Sequence, residues 1–156
     1  MTRMTNNDDV EARDIASRLL DQTGRALVTG DFELFAPCFH LPQVLSSQLG
    51  ERTLLRHEEV QEVFERVRWH YRGLQITQMQ RRCMASMFVD RHTILSVHRT
   101  RLLRGADLVQ KPFKALSTIT QVGGVWRIKS CDYAIKDSLR HNRAIHGTRP
   151  PATQAV

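Results

Sequence analysis

The chain has 156 residues and a mass of 18.0 kDa, the size of one domain with short tails. Hydrophobic residues make up 41% and charged residues 25%, which suits a core-forming globular protein, and no apolar run approaches the roughly 18 residues of a membrane span. Lys and Arg number 23 against 16 Asp and Glu, a net +7, yet residues 1–62 carry 6 basic and 11 acidic groups whereas residues 63–156 carry 17 and 5, so the second half attracts anions or an acidic partner.

The opening MTRMTNNDDVEARD has no apolar core of the kind a secretory signal needs, and residues 1–8 are expected to be flexible. Asp9 to Val28 has helical spacing, with Val10, Ile15, Leu19, Leu20 and Leu27 on one stripe and N-cap oxygens from Asn6, Asn7 and Asp8. Gly30 closes this helix, and Asp31 opens a short one through Phe35. Pro37 and Pro42 bracket a turn, and residues 43–47 and 51–55 read as two short strands. A second long helix, His57 to Arg72, buries Val60, Val63, Phe64, Val67 and Tyr71. Glu58 and Glu59 lie at its positive end and Arg66, Arg68 and Arg72 toward its negative end.

Four long β-rich runs follow, 74–89, 93–104, 112–122 and 125–136, with Gly123-Gly124 as the strongest hairpin signal. Residues 137–145 form a short helix and 147–156 a disordered tail, which makes 9–136 one domain and 137–156 a partly disordered extension. This order is α+β: a curved antiparallel sheet wraps around N-terminal helices as a cone with an interior pocket.

Three stretches carry a family resemblance. ALVTGDFELFAPCF resembles the helix junction of the nuclear-transport-factor-2-like (cystatin-like) superfamily, HEEVQEVFERV is similar to its second main helix, and GGVWRIKSCDY to its last strand. The superfamily includes ketosteroid isomerase, SnoaL-like polyketide cyclases, scytalone dehydratase, small subunits of ring-hydroxylating dioxygenases and non-catalytic binding or assembly modules, so fold does not decide function. The Tyr, Asp and Asp of the ketosteroid isomerase mechanism fall on Thr23, Ser47 and Ser117 here. Hydroxyls cannot replace a carboxylate base, so that chemistry is not expected.

Strand alternation places other candidates. With Arg99 and Arg101 outward, Ile94, Ser96, His98 and Thr100 face inward; with Lys114 outward, Phe113, Ala115, Ser117 and Ile119 do. With Arg127 and Lys129 outward, Trp126, Ile128, Ser130 and Asp132 face inward. The expected site is then an acid/base pair of His98 and Asp132 in an apolar cone lined by Thr23, Tyr71, Phe113, Ser117 and Trp126, with His40 at the mouth. Such a pair serves lyase or isomerase chemistry on a small, largely apolar organic molecule; a non-catalytic binding or assembly module is the alternative.

The chain has no HExxH, zinc-finger, GxGxxG or GxxxxGK[ST] spacing, so neither metal nor cofactor is expected. Scattered Cys38, Cys83 and Cys131 point to a reducing cytoplasm. The outer sheet face, with Leu95, Val97, Leu103, Leu116 and Tyr133 among Arg and Lys, is expected to form a homodimer or meet an acidic partner. Nucleic acid is disfavoured because only 6% of residues are aromatic.

Overall fold

The computed structural model describes residues 6–147; the tail expected beyond Gly147 lies outside them, as do residues 1–5. Helix α1 spans Asn6–Thr29 and buries Ala12, Ile15, Ala16, Leu20, Thr23 and Ala26, positions three or four apart that fall on one face. Val10 is 59% exposed, so the inward stripe begins at Ala12 and not at Val10. Gly30, at φ 79°, turns the chain out of α1, and a Cβ there would collide with the Arg68 guanidinium. The Arg68 Nε donates to the Leu27 carbonyl at 3.1 Å and caps the end of the helix. Asp31 then caps α2, Phe32–Phe35, by accepting from the Leu34 amide at 3.1 Å.

Strand β1 is Phe39–Ser47 and β2 is Gly50–Leu54; helix α3, His57–Gly73, follows. The expected buried stripe of α3 is observed in full: Val60, Val63, Phe64, Val67 and Tyr71 all face inward. Phe64 is fully buried, its ring 4.7 Å from that of Phe35 and 5.4 Å from that of Phe32. This aromatic knot joins α3 to α2 beneath the sheet.

The sheet continues with β3 (Gln78–Asp90), β4 (Thr93–Arg104), the two-residue β5 (Asp107–Leu108), β6 (Phe113–Val122) and β7 (Val125–Ala134). Its order is β2-β1-β7-β6-β4-β3, with β5 attached to β4. All pairings are antiparallel except β1 with β7, which run parallel. The first β-rich run begins four residues later than expected, because Leu74–Thr77 carry the chain out of α3 through Gln75 at φ 56°.

Among the register shifts of the sheet, one on β7 and one on β3 bear on which side chains face the helices. On β7 the register steps from Thr118↔Ser130 to Ile119↔Ile128, so Lys129 is an extra residue. On β3 it steps from Cys83↔His98 to Ala85↔Val97, making Met84 the extra residue. Beyond such a point every side chain swaps faces.

Helix α4, Leu139–His146, lies in the stretch expected to be an extension, and it packs against α3 with His141, Asn142, Ala144, Ile145 and His146 buried. Ser138 caps its start by accepting from the His141 amide at 3.1 Å. At its end, Arg66 donates to the Ala144 carbonyl at 3.2 Å and Arg52 to the His146 carbonyl at 3.1 Å. Two cations thus satisfy the last carbonyls and the negative end of the helix. None of the helices among the described residues is long and apolar enough to cross a membrane.

Candidate functional site

Between α1, α3, α4 and the concave sheet face lies a cavity of about 70 Å³. At ~10–15 Å³ per water it has room for about five waters. Its wall is dominantly apolar, built from Leu20, Leu27, Phe35, Val63, Val67, Ile119 and Ile128 among others. Into it point Thr23 from α1, Gln43 from β1, Tyr71 from α3, Arg81 from β3, Ser96, His98 and Thr100 from β4, Ser117 from β6, Cys131 and Tyr133 from β7, and His141 from α4.

Five sequence candidates therefore meet: Thr23, Tyr71, His98, Phe113 and Ser117 all line the cavity. Three do not. Asp132 is exposed and stands opposite Leu116 on the outer face of the sheet, because the Lys129 bulge reverses the parity assumed from Arg127 onward. The His98–Asp132 pair does not exist. Trp126 keeps its inward side but packs edge-on against Phe88, centroids 5.8 Å apart, outside the cavity lining. His40 donates from Nε2 to the Thr120 carbonyl at 3.0 Å, a strand-linking bond away from the cavity. The same bulge brings Tyr133, expected on the outer face, into the cavity, and Leu103 is buried where β5 pairs with β4.

The residue found beside His98 in place of Asp132 is basic. The Arg81 Nη2 donates to His98 Nε2 at 3.2 Å, and its Nη1 donates to Thr23 Oγ1 at 2.6 Å and to the Leu20 carbonyl at 3.2 Å. A guanidinium can only donate, so Nε2 of His98 accepts and its ring proton sits on Nδ1. Burial, reinforced by the Arg81 charge, pushes the His98 pKa down to about 3. The imidazole is neutral at pH 7. Burial likewise holds the Tyr71, Tyr133 and Cys131 protons in place by raising their pKa values.

A second polar group closes the α4 end. His141, 1% exposed, has Nε2 3.0 Å from the Tyr71 hydroxyl and Nδ1 3.0 Å from the Gln110 amide nitrogen. Burial, then the nearby His70, drives its pKa down to about 3 as well. Sequence reasoning missed Arg81, Gln43, Tyr133 and His141. Arg81 had a usable signal, since Met79, Arg81 and Cys83 alternate, but the adjacent Arg82 erases the polarity contrast that would say which Arg points inward.

Several buried polar atoms on the cavity wall have no protein partner: Gln43 Oε1, Arg81 Nε and Thr100 Oγ1. Each such atom costs about 1–3 kcal/mol if nothing else meets it. Among the described residues, no three His, Cys, Asp or Glu side chains converge as metal donors.

The geometry, a curved open sheet over N-terminal helices with a hollow between, is the nuclear-transport-factor-2-like, cystatin-like fold, as solved structures show. A Nostoc punctiforme domain of unknown function with a cystatin-like fold superposes with a TM-score of 0.64 at 16% identity, over 97% of this chain and 93% of that one. A nuclear-transport-factor-2-like protein from Shewanella oneidensis gives 0.60 at 14% identity over 78% and 97%. LinA gives 0.61 at 14% identity over 85% and 91%. No family model matches the chain, and no curated protein does.

Proposed function

We propose that the protein is a pocket protein that takes a small, largely apolar organic molecule into its cone and binds it without metal or cofactor. The observation that carries this reading is an otherwise apolar cavity lined by Gln43, Arg81 and Thr100, each of which carries a buried polar atom without a protein partner, Oε1, Nε and Oγ1 respectively. Binding sites combine an apolar wall with a few fixed polar groups, and a guest with matching polar atoms offsets the cost of leaving these unpaired.

Binding is favoured over acid/base turnover. A general base near pH 7 needs a pKa near 7, whereas His98 lies close to 3 and has Arg81 rather than a carboxylate at its side. The chain's own residues hold and orient a guest; none is poised to take its proton.

Native mass spectrometry of freshly purified protein tests this directly. A co-purifying small molecule of unaltered mass supports it. Protein that emerges empty, and whose melting temperature answers to no compound in a library of small organic molecules, overturns it. The proposal includes a homodimer through the outer face. Leu116 there is 44% exposed opposite Asp132, and Lys114 stands opposite Arg99 on the neighbouring strand. A monomer by light scattering at micromolar concentration removes that part.

A further inference from the structure

Arg81 is the one cavity-lining side chain with a full charge: the lining contains no Asp, Glu or Lys. Among the described residues the ion pairs involve Glu59 or Glu62, and none involves Arg81. Asp21 shares with it only the outer groove between α1 and β3 and makes no ion pair with it. A half-buried guanidinium without a carboxylate is a desolvated charge awaiting compensation.

Its donors are only partly used. Both Nη1 hydrogens go to Leu20 and Thr23 and one Nη2 hydrogen to His98, which leaves the Nε hydrogen and the other on Nη2. Nε is sealed from solvent without a partner. Nε and Nη2 form one edge of the guanidinium, the edge that grips a carboxylate with two parallel bonds. The three existing bonds hold that edge in place. The stem packs beside Gly24, where a Cβ would lie in ordinary contact with the Arg81 Cδ at 3.5 Å. The charge is felt across the hollow, at Cys38, Tyr71, His98, Cys131 and Tyr133.

We infer that the guest is a small organic monocarboxylate whose head is held by the free edge of Arg81 while its apolar body fills the space toward Val63, Val67 and Ile119. This deepens the pocket reading above and rests on it. One cation balances one negative charge, so a phosphate dianion would remain uncompensated in an apolar wall.

Titration calorimetry on the full chain with propionate and isobutyrate, sized for a cavity of about 70 Å³, against propionamide, isobutyramide and inorganic phosphate, tests it. The acids are expected to bind at least tenfold more tightly than the amides of the same shape, and phosphate not at all. Arg81→Met should remove the preference for the acids and bring them down to the affinity of the amides, with circular dichroism showing an intact fold. Arg81→Lys keeps the charge without the fork and should retain a weakened preference, which serves the test if the methionine variant does not fold. Amides that match the acids, an acid preference that survives Arg81→Met, or tight phosphate binding would each overturn the monocarboxylate and leave the pocket standing. If none of the four organic compounds binds, the pocket reading falls with it.

Discussion

His98 and His141 are buried alike, at 2% and 1% exposure, and burial drives the pKa of each down to about 3. Their neighbours differ. His141 sits between two neutral partners: the Gln110 amide nitrogen can only donate, so Nδ1 accepts, and the Nε2 proton is directed to the Tyr71 hydroxyl. His98 has an arginine that only donates, with part of that arginine left unpartnered. At the α4 end both ring nitrogens of His141 thus have neutral partners, although Gln110 Oε1, Asn142 Oδ1 and His70 Nε2 stay unpartnered, while on the β3–β4 wall the partner of His98 is a cation whose own Nε is unpartnered. Equal burial does not mean equal surroundings: neutral groups of the fold meet both nitrogens of His141, whereas His98 leans on a cation that no acidic residue of the cavity lining balances.

The largest test of this contrast is pH. Both histidines take a proton near pH 6.5 when unfolded but resist it to about 3 when folded, so the unfolded chain binds more protons across that window. Their contribution is fully present above pH 6.5 and lost as pH falls toward 3, at about 1.4 kcal/mol per pH unit for each histidine. Urea unfolding between pH 7 and 4 should show this slope, and His141→Leu should remove about half of it. A flat profile would break the comparison at its root.

Next in size, His141→Leu strands the Tyr71 hydroxyl and the Gln110 amide and should cost about 2–5 kcal/mol at pH 7, read from the urea midpoint. Arg81→Met should be far milder, within about 1 kcal/mol of the parent, because it removes an unpaired cation along with its bonds. A larger loss would make Arg81 a structural residue like His141. The smallest effect belongs to Asp132→Asn. On the outer face it should change stability by less than about 0.5 kcal/mol and leave ligand affinity unaltered.

These two regions also differ in how far the sequence reveals them. On β4 and β6 plain alternation places Ile94, Ser96, His98 and Thr100, and Phe113, Ala115, Ser117 and Ile119, on the buried face, and all eight are buried, because neither strand carries an extra residue. On β7 the same reasoning fails after Ile128, since Lys129 looks like any outward lysine and nothing in its chemistry announces a bulge. On β3, Arg81 and Arg82 are identical in type and opposite in direction. Helix α4 defeats hydropathy altogether: Leu139 is 53% exposed while His141 and Asn142 are buried. Asn142 is held there by donating from Nδ2 to the Ile135 carbonyl at 2.9 Å, a need that composition does not display.

The extra lysine on β7 has a further consequence. Removing that one residue would only regularise the ladder, with Ser130 directly after Ile128 and Cys131 and Tyr133 still inward, whereas pairing Lys129 into the ladder would turn the end of the strand over and present Asp132 to the hollow. An acid would then stand on the same wall as His98 and Arg81. In this architecture one unpaired residue decides whether the hollow carries a cation alone or a cation beside an acid.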